Sequence, residues 1–223
     1  MNLQMPKEEK ETARIEAFSD GVFAIAITLL VLELHVPKPE DLPDGNLMAA
    51  LAAQWPSYFG FILSFFTILI MWFNHHKLFT HIRHSDHVLP YANGFLLFFI
   101  TLTPWPTALM AEYIGQPQEQ AATSVFAAFF VMMAVAFNAL WRYASYKGRL
   151  LGADADMKEV RRISIMYAFG PTGYFAAFLL SFVSVPACLV VSMSLAMFFA
   201  FTGVNMPSGR GRTIKTAAPM EPE

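Results

Sequence analysis

Six stretches of the chain are almost wholly apolar: Phe18–Val36, Ala53–Asn74, Leu89–Met110, Ala121–Tyr143, Ile163–Phe182 and Val185–Val204. Each is close to the ~20 residues that carry a helix across a hydrocarbon core of ~30 Å. A segment in lipid must satisfy its own backbone hydrogen bonds, so these read as helices. Barrel strands would alternate apolar and polar side chains, and these runs do not. Charged residues make up only 14% of the chain, too few to coat a water-facing surface, where about 25% is usual. The expected fold is an all-α integral membrane protein with six transmembrane helices. A net charge of −2 offers no basic field for nucleic acid, and the single cysteine, Cys188, excludes a disulfide framework or a multi-cysteine metal site.

Charge sets the orientation. With six spans, fourteen of the fifteen Lys and Arg residues fall on one side, and Lys38 alone falls on the other. Positive residues stay cytoplasmic, so both termini are expected in the cytoplasm. Residues 1–17 then form a cytoplasmic arm, 18–204 the six-helix membrane domain, and 205–223 a polar, Pro- and Gly-containing tail expected to be disordered. The arm is too charged for the apolar core of a signal peptide. On the outer side Glu40, Asp41, Asp44, Glu112 and Glu119 outnumber Lys38, a pattern that concentrates cations.

The first span is unusual. Its apolar core, Gly21–Leu32, is bounded by Asp20 and Glu33 and spans only about 18 Å of helix. A lipid-facing helix would be poorly matched, whereas one enclosed by protein with water at both ends would not. At 100° per residue, Ile25, Leu29 and Leu32 share a narrow stripe, with Thr28 at its flank. Asp20 falls on the opposite side, and Val31 lies about 120° away from the stripe. Spacing alone also fits ordinary helix packing, because nearly every residue here is apolar.

The segment Arg14-Ile15-Glu16-Ala17-Phe18-Ser19-Asp20 reads R-x-x-x-F-S-D and runs into Gly-Val-Phe-Ala-Ile-Ala-Ile-Thr-Leu-Leu-Val-Leu. Trp72 and His75-His76 follow in the second span, then Asn93 and Pro104-Trp105-Pro106-Thr107 in the third. This order resembles the lysosomal and bacterial potassium channel family, transmembrane protein 175, over residues 14 to about 110. The resemblance implies a passive, leak-type potassium-permeable channel rather than an enzyme. It implies a single-repeat prokaryotic type in the plasma membrane, assembled as a homotetramer in the lipid bilayer. Monovalent cations would be the permeant partners, potassium among them, with no cofactor, no metal and no nucleic acid. The first helix would line the pore. Ile25, Leu29 and Leu32 would make an apolar constriction, and Thr28 would match the selectivity-associated threonine. The chain has no T-V-G-Y-G loop, so a carbonyl filter is not expected. Arg14, Phe18, Ser19 and Asp20, with Trp72, His75, His76 and Asn93, would form a signature motif and polar brace behind the pore helix.

Two other readings compete. A secondary transporter or proton pathway uses broken helices at the midplane, and Gly170-Pro171-Thr172-Gly173 in the fifth span is the one candidate break, although a kink or close helix packing is the expected reading of that run. A membrane metalloenzyme would use histidines from several segments. Here His75, His76, His81, His84 and His87 crowd one stretch, and His35 is expected on the opposite side. His81, His84 and His87, spaced three apart, would offer a surface divalent site on one helical face, but a solvated, mildly pH-sensitive loop is the expected reading.

Overall fold

A computed structural model describes residues 7–42, 45–153 and 155–204; Asp44 and the tail from Asn205 lie outside the described residues. Among the described residues all regular structure is helical, apart from one isolated bridge between Ile82 and Leu151. The elements are α1 (Lys7–Leu29), α2 (Leu47–Ala53), α3 (Trp55–His81), α4 (Val88–Leu102), α5 (Pro104–Tyr113), α6 (Glu119–Ser145), α7 (Met157–Ser181) and α8 (Val185–Val204). A 3₁₀ turn, Leu30–Glu33, continues α1. Helix α1 starts at Lys7, so it crosses the arm boundary expected at residue 17 without a break.

Five helical segments are long and apolar enough to cross a bilayer: Glu11–Glu33, Trp55–His81, Val88–Tyr113, Glu119–Gly148 and Met157–Ser181. The apolar helix Val185–Phe201 is shorter. The third segment is two helices in one. Pro104 and Pro106 lack the N–H groups that would continue the ladder, yet Thr103 keeps helical angles (φ −52°, ψ −39°). Thr103 donates its hydroxyl to the Phe99 carbonyl at 2.9 Å, and Thr107 donates to the Thr103 carbonyl at 3.0 Å. The two threonines bridge the break from the side.

Helix α6 is the hub and packs on α4, α5, α7 and α8. Lipid tails are as apolar as leucine, so close fit rather than escape from water holds such helices together. Small residues set that fit. A methyl on Gly60 would stand 3.2 Å from Ala111 Cβ, which brings α3 onto α5. On α7, a methyl on Gly170 would meet Phe199, and one on Gly173 would overlap Leu195 at 2.6 Å. Helix α7 runs unbroken through Pro171. The Gly170–Gly173 stretch is therefore a close-packed seat for α8, the reading expected for it, and the candidate midplane break does not occur in this helix.

The histidine stretch also differs from a continuous helix. Helix α3 ends at His81, so His81, His84 and His87 do not share a helical face. The backbone N–H groups of Arg83 and His84 both donate to the Leu150 carbonyl, at 2.8 and 3.1 Å, and pin this loop to the α6–α7 connection. Among the described residues no group of three or more His, Cys, Asp or Glu side chains is placed to hold a metal ion.

Candidate pore helix and its hydrogen-bonded face

Helix α1 has two unlike faces. Phe23, Ala26 and Leu30 are buried on one, at 1%, 4% and 1% exposure, and the helix packs there on α3 and α4. That same side carries its polar contacts near the Lys/Arg-rich end. The Trp72 indole N–H donates to Asp20 Oδ1 at 2.8 Å. Asn93 Nδ2 donates to Ser19 Oγ at 2.9 Å, and Ser19 Oγ donates to the Ile15 carbonyl at 2.8 Å. His75 Nε2 stands 2.8 Å from Asn93 Oδ1. An amide oxygen only accepts, so Nε2 carries the proton. The result is a one-way chain, His75 to Asn93 to Ser19 to the α1 backbone, that joins three helices. All three side chains are buried, where an unpaired polar group costs about 1–3 kcal/mol.

The aromatic setting is equally ordered. His75 stacks on Phe79 at 4.6 Å between ring centroids and meets Phe23 at 5.3 Å. Trp72 and His76, four residues apart on one face of α3, stack at 6.1 Å.

The expected brace residues divide into two groups. Ser19, Asp20, Trp72, His75 and Asn93 come together. His76 does not reach Asp20; its Nδ1 is 2.9 Å from Glu16 Oε1 instead. Glu16 was missed by the sequence reading, although it lies four residues before Asp20 as His76 lies four after Trp72. On antiparallel helices these two i,i+4 steps must meet. Arg14 and Phe18 stay outside the cluster. Both are exposed and line a groove of about 1090 Å³ between α1 and the start of α4.

The other face of α1 is apolar and bare within one chain. Ile25 is 59% exposed, Leu29 51% and Leu32 71%. Thr28 is exposed beside them, with its hydroxyl donating to the Ile25 carbonyl at 2.9 Å. Leu32 lies in the 3₁₀ turn, where residues three apart eclipse, so it aligns with Leu29. Val31, expected away from the stripe, is 55% exposed as well. The bare face therefore widens at its outer end.

The profile of the family described as endosomal/lysosomal potassium channel TMEM175 matches residues 14–104. A potassium channel of Chamaesiphon minutus is 50% identical over 193 residues, covering 86% of this chain and 95% of its own. A potassium channel of Streptomyces collinus is 42% identical over 199 residues, covering 89% and 96%. The human endosomal/lysosomal proton channel TMEM175 is 34% identical over 138 residues, which is 59% of this chain and 27% of its own. The crystal structure of the Chamaesiphon minutus homolog, a lysosomal potassium-selective channel TMEM175 homolog, superposes with a TM-score of 0.79 at 46% identity. It covers 87% of this chain and 98% of that one. The family and these relatives are ion channels, not enzymes. On sequence and on fold alike, this chain belongs to the TMEM175 family of channels.

Proposed function

We propose that this protein is a passive potassium-permeable cation channel of a prokaryotic plasma membrane. It assembles as a homotetramer, each subunit contributing six transmembrane helices with both termini cytoplasmic. The observation that carries this is the two-faced first helix. One face is fastened by Asp20, Ser19 and Glu16 to neighbouring helices, and the opposite face presents Ile25, Leu29 and Leu32, each more than half exposed. Bare apolar side chains at a shared axis make a dry ring that excludes water and resists ions until the helices turn or spread. Dehydration costs the smaller sodium ion more than potassium, which favours potassium. The Chamaesiphon and Streptomyces relatives carry the name potassium channel, which supports the choice of ion. No cofactor is needed, and potassium is the permeant species.

The experiment is planar-bilayer recording of the purified protein under potassium and sodium gradients, with crosslinking in lipid beside it. Unitary currents that reverse near the potassium potential, with a tetrameric ladder, are the expected result. Saturable flux without unitary currents would replace the channel with a transporter, and a ladder that stops at dimer would remove the four-fold pore. The proton channel relatives make proton permeation the second reading. A pH gradient imposed in the same recording separates the two ions.

A further inference from the structure

The end of the bundle opposite the Lys/Arg-rich side holds a crevice of about 320 Å³ between the 3₁₀ turn after α1 and helices α3 and α5. That volume lies at the small end of the range for small-molecule sites. Its lining combines carboxylates, aromatic rings and hydroxyls, with the His35 imidazole beside the Glu33 carbonyl. Glu33 and Glu112 are exposed carboxylates. Phe61, Trp105 and Tyr113 supply aromatic walls, and Trp105 is 56% exposed. Ser64 adds a hydroxyl on a residue only 1% exposed. The α3 lining runs from Ser57 to Ser64, about 10 Å along that helix.

We propose that this crevice binds an organic ammonium ion: a protonated amine carried on a compact apolar body. Each part of the ligand has its counterpart. The positive head meets two carboxylates, and an ammonium over an aromatic face gains further attraction, most of all over tryptophan. The apolar body fits against Leu30 and the aromatic walls. The Ser64 hydroxyl, on the crevice wall, is available to accept an N–H bond from a head that reaches it. A metal ion fits this site less well, because its walls are mostly apolar and no group of three or more metal-holding side chains occurs among the described residues. The inference does not rest on the channel reading, since it concerns binding and not conduction.

The ammonium group has two natural sources, a free amine and the ethanolamine head of a lipid. The test uses benzylammonium at pH 8, with full-length protein in nanodiscs of phosphatidylglycerol, followed by equilibrium dialysis. Saturable binding is expected, weakened about tenfold or more in the Glu33→Gln, Glu112→Gln double variant. Trp105→Ala should weaken it several-fold, and Trp105→Phe should restore part of the loss. Benzyl alcohol, the neutral analogue of the same shape, should bind far more weakly. Both carboxylates are exposed, so the double variant should keep the parent's helical circular dichroism, which is measured alongside. Nanodiscs that include phosphatidylethanolamine separate the sources: competition identifies the lipid head, and its absence the free amine. Binding that survives loss of both carboxylates, or benzyl alcohol binding equally well, overturns the proposal.

Discussion

His76 Nδ1 stands 2.9 Å from Glu16 Oε1, one helical turn from the bond between Trp72 and Asp20. The two contacts form a ladder between antiparallel helices, and they fix how α1 is rotated about its own axis. That rotation decides which side chains face away from the protein. The polar ladder and the bare Ile25–Leu29–Leu32 face are thus two consequences of one packing arrangement.

The outer rung should contribute little alone. The His76 and Glu16 side chains are 47% and 26% exposed, and partly exposed pairs are worth roughly 0–1 kcal/mol. A double-mutant cycle with Glu16→Gln and His76→Phe, read by thermal unfolding in detergent, should give a coupling below about 1 kcal/mol. A larger coupling would mean the pair is shielded from water in the assembled protein.

The inner chain should contribute more. Asn93→Leu removes the group that joins His75 to Ser19 and leaves two buried polar side chains without their shared partner. The expected loss is about 1–3 kcal/mol, chiefly from the His75 N–H, since Ser19 keeps its bond to the Ile15 carbonyl, and it is seen as a lower melting temperature and less assembled protein. The potassium-to-sodium preference of what does assemble should stay near the parent value. Normal assembly with lost ion preference would place this cluster in the ion path.

Leu29→Asn tests the bare face. Asparagine is similar in size but holds water, so it should wet the ring, raise potassium conductance and weaken the rejection of sodium. Val31 is exposed too and is a poor control. Ala26 is a better one, since it is 4% exposed on the packed face. Ala26→Asn should lower stability without raising conductance. Cation flux into liposomes at equal protein compares them. Leaky Ala26→Asn beside unchanged Leu29→Asn would put the pore on the wrong face.

Asp86 sets a pH dependence in the loop before α4. Burial acts to raise its carboxyl, but the Tyr143 hydroxyl, the backbone N–H groups of Leu89 and Val88, and the Arg149 guanidinium outweigh it. The folded value therefore lies below the ordinary 3.8. A carboxyl depressed by folding stabilises the fold above its unfolded value, and that contribution disappears as pH falls through the folded one. Melting temperature should drop on acidification below 3.8, and the drop should be smaller in Asp86→Asn. Equal slopes for parent and variant would show that this carboxylate is not linked to folding.

The chain alone determined the helical membrane character, because lipid leaves a long apolar segment no other way to pair its backbone. It also determined that Asp20 lies opposite the Ile25–Leu29 stripe, since both sit on one helix and helical angles are local. The family was legible in residues 14–110 for a similar reason: a contiguous motif needs no tertiary information. What the sequence left open was how each helix is turned against its neighbours. That is set by the fit of whole surfaces, such as Gly60 on Ala111 and Gly173 under Leu195. Tertiary packing therefore decided that His76 pairs with Glu16, that Asn93 joins His75 to Ser19, and that Arg14 and Phe18 stand outside the cluster. It also seated α8 against Gly170 and Gly173 on an unbroken α7, choosing the close packing that a glycine–proline run allows over a kink or a break. Helical periodicity gives the angle between two side chains on one helix, but only contact with a second helix gives the angle between them and anything else.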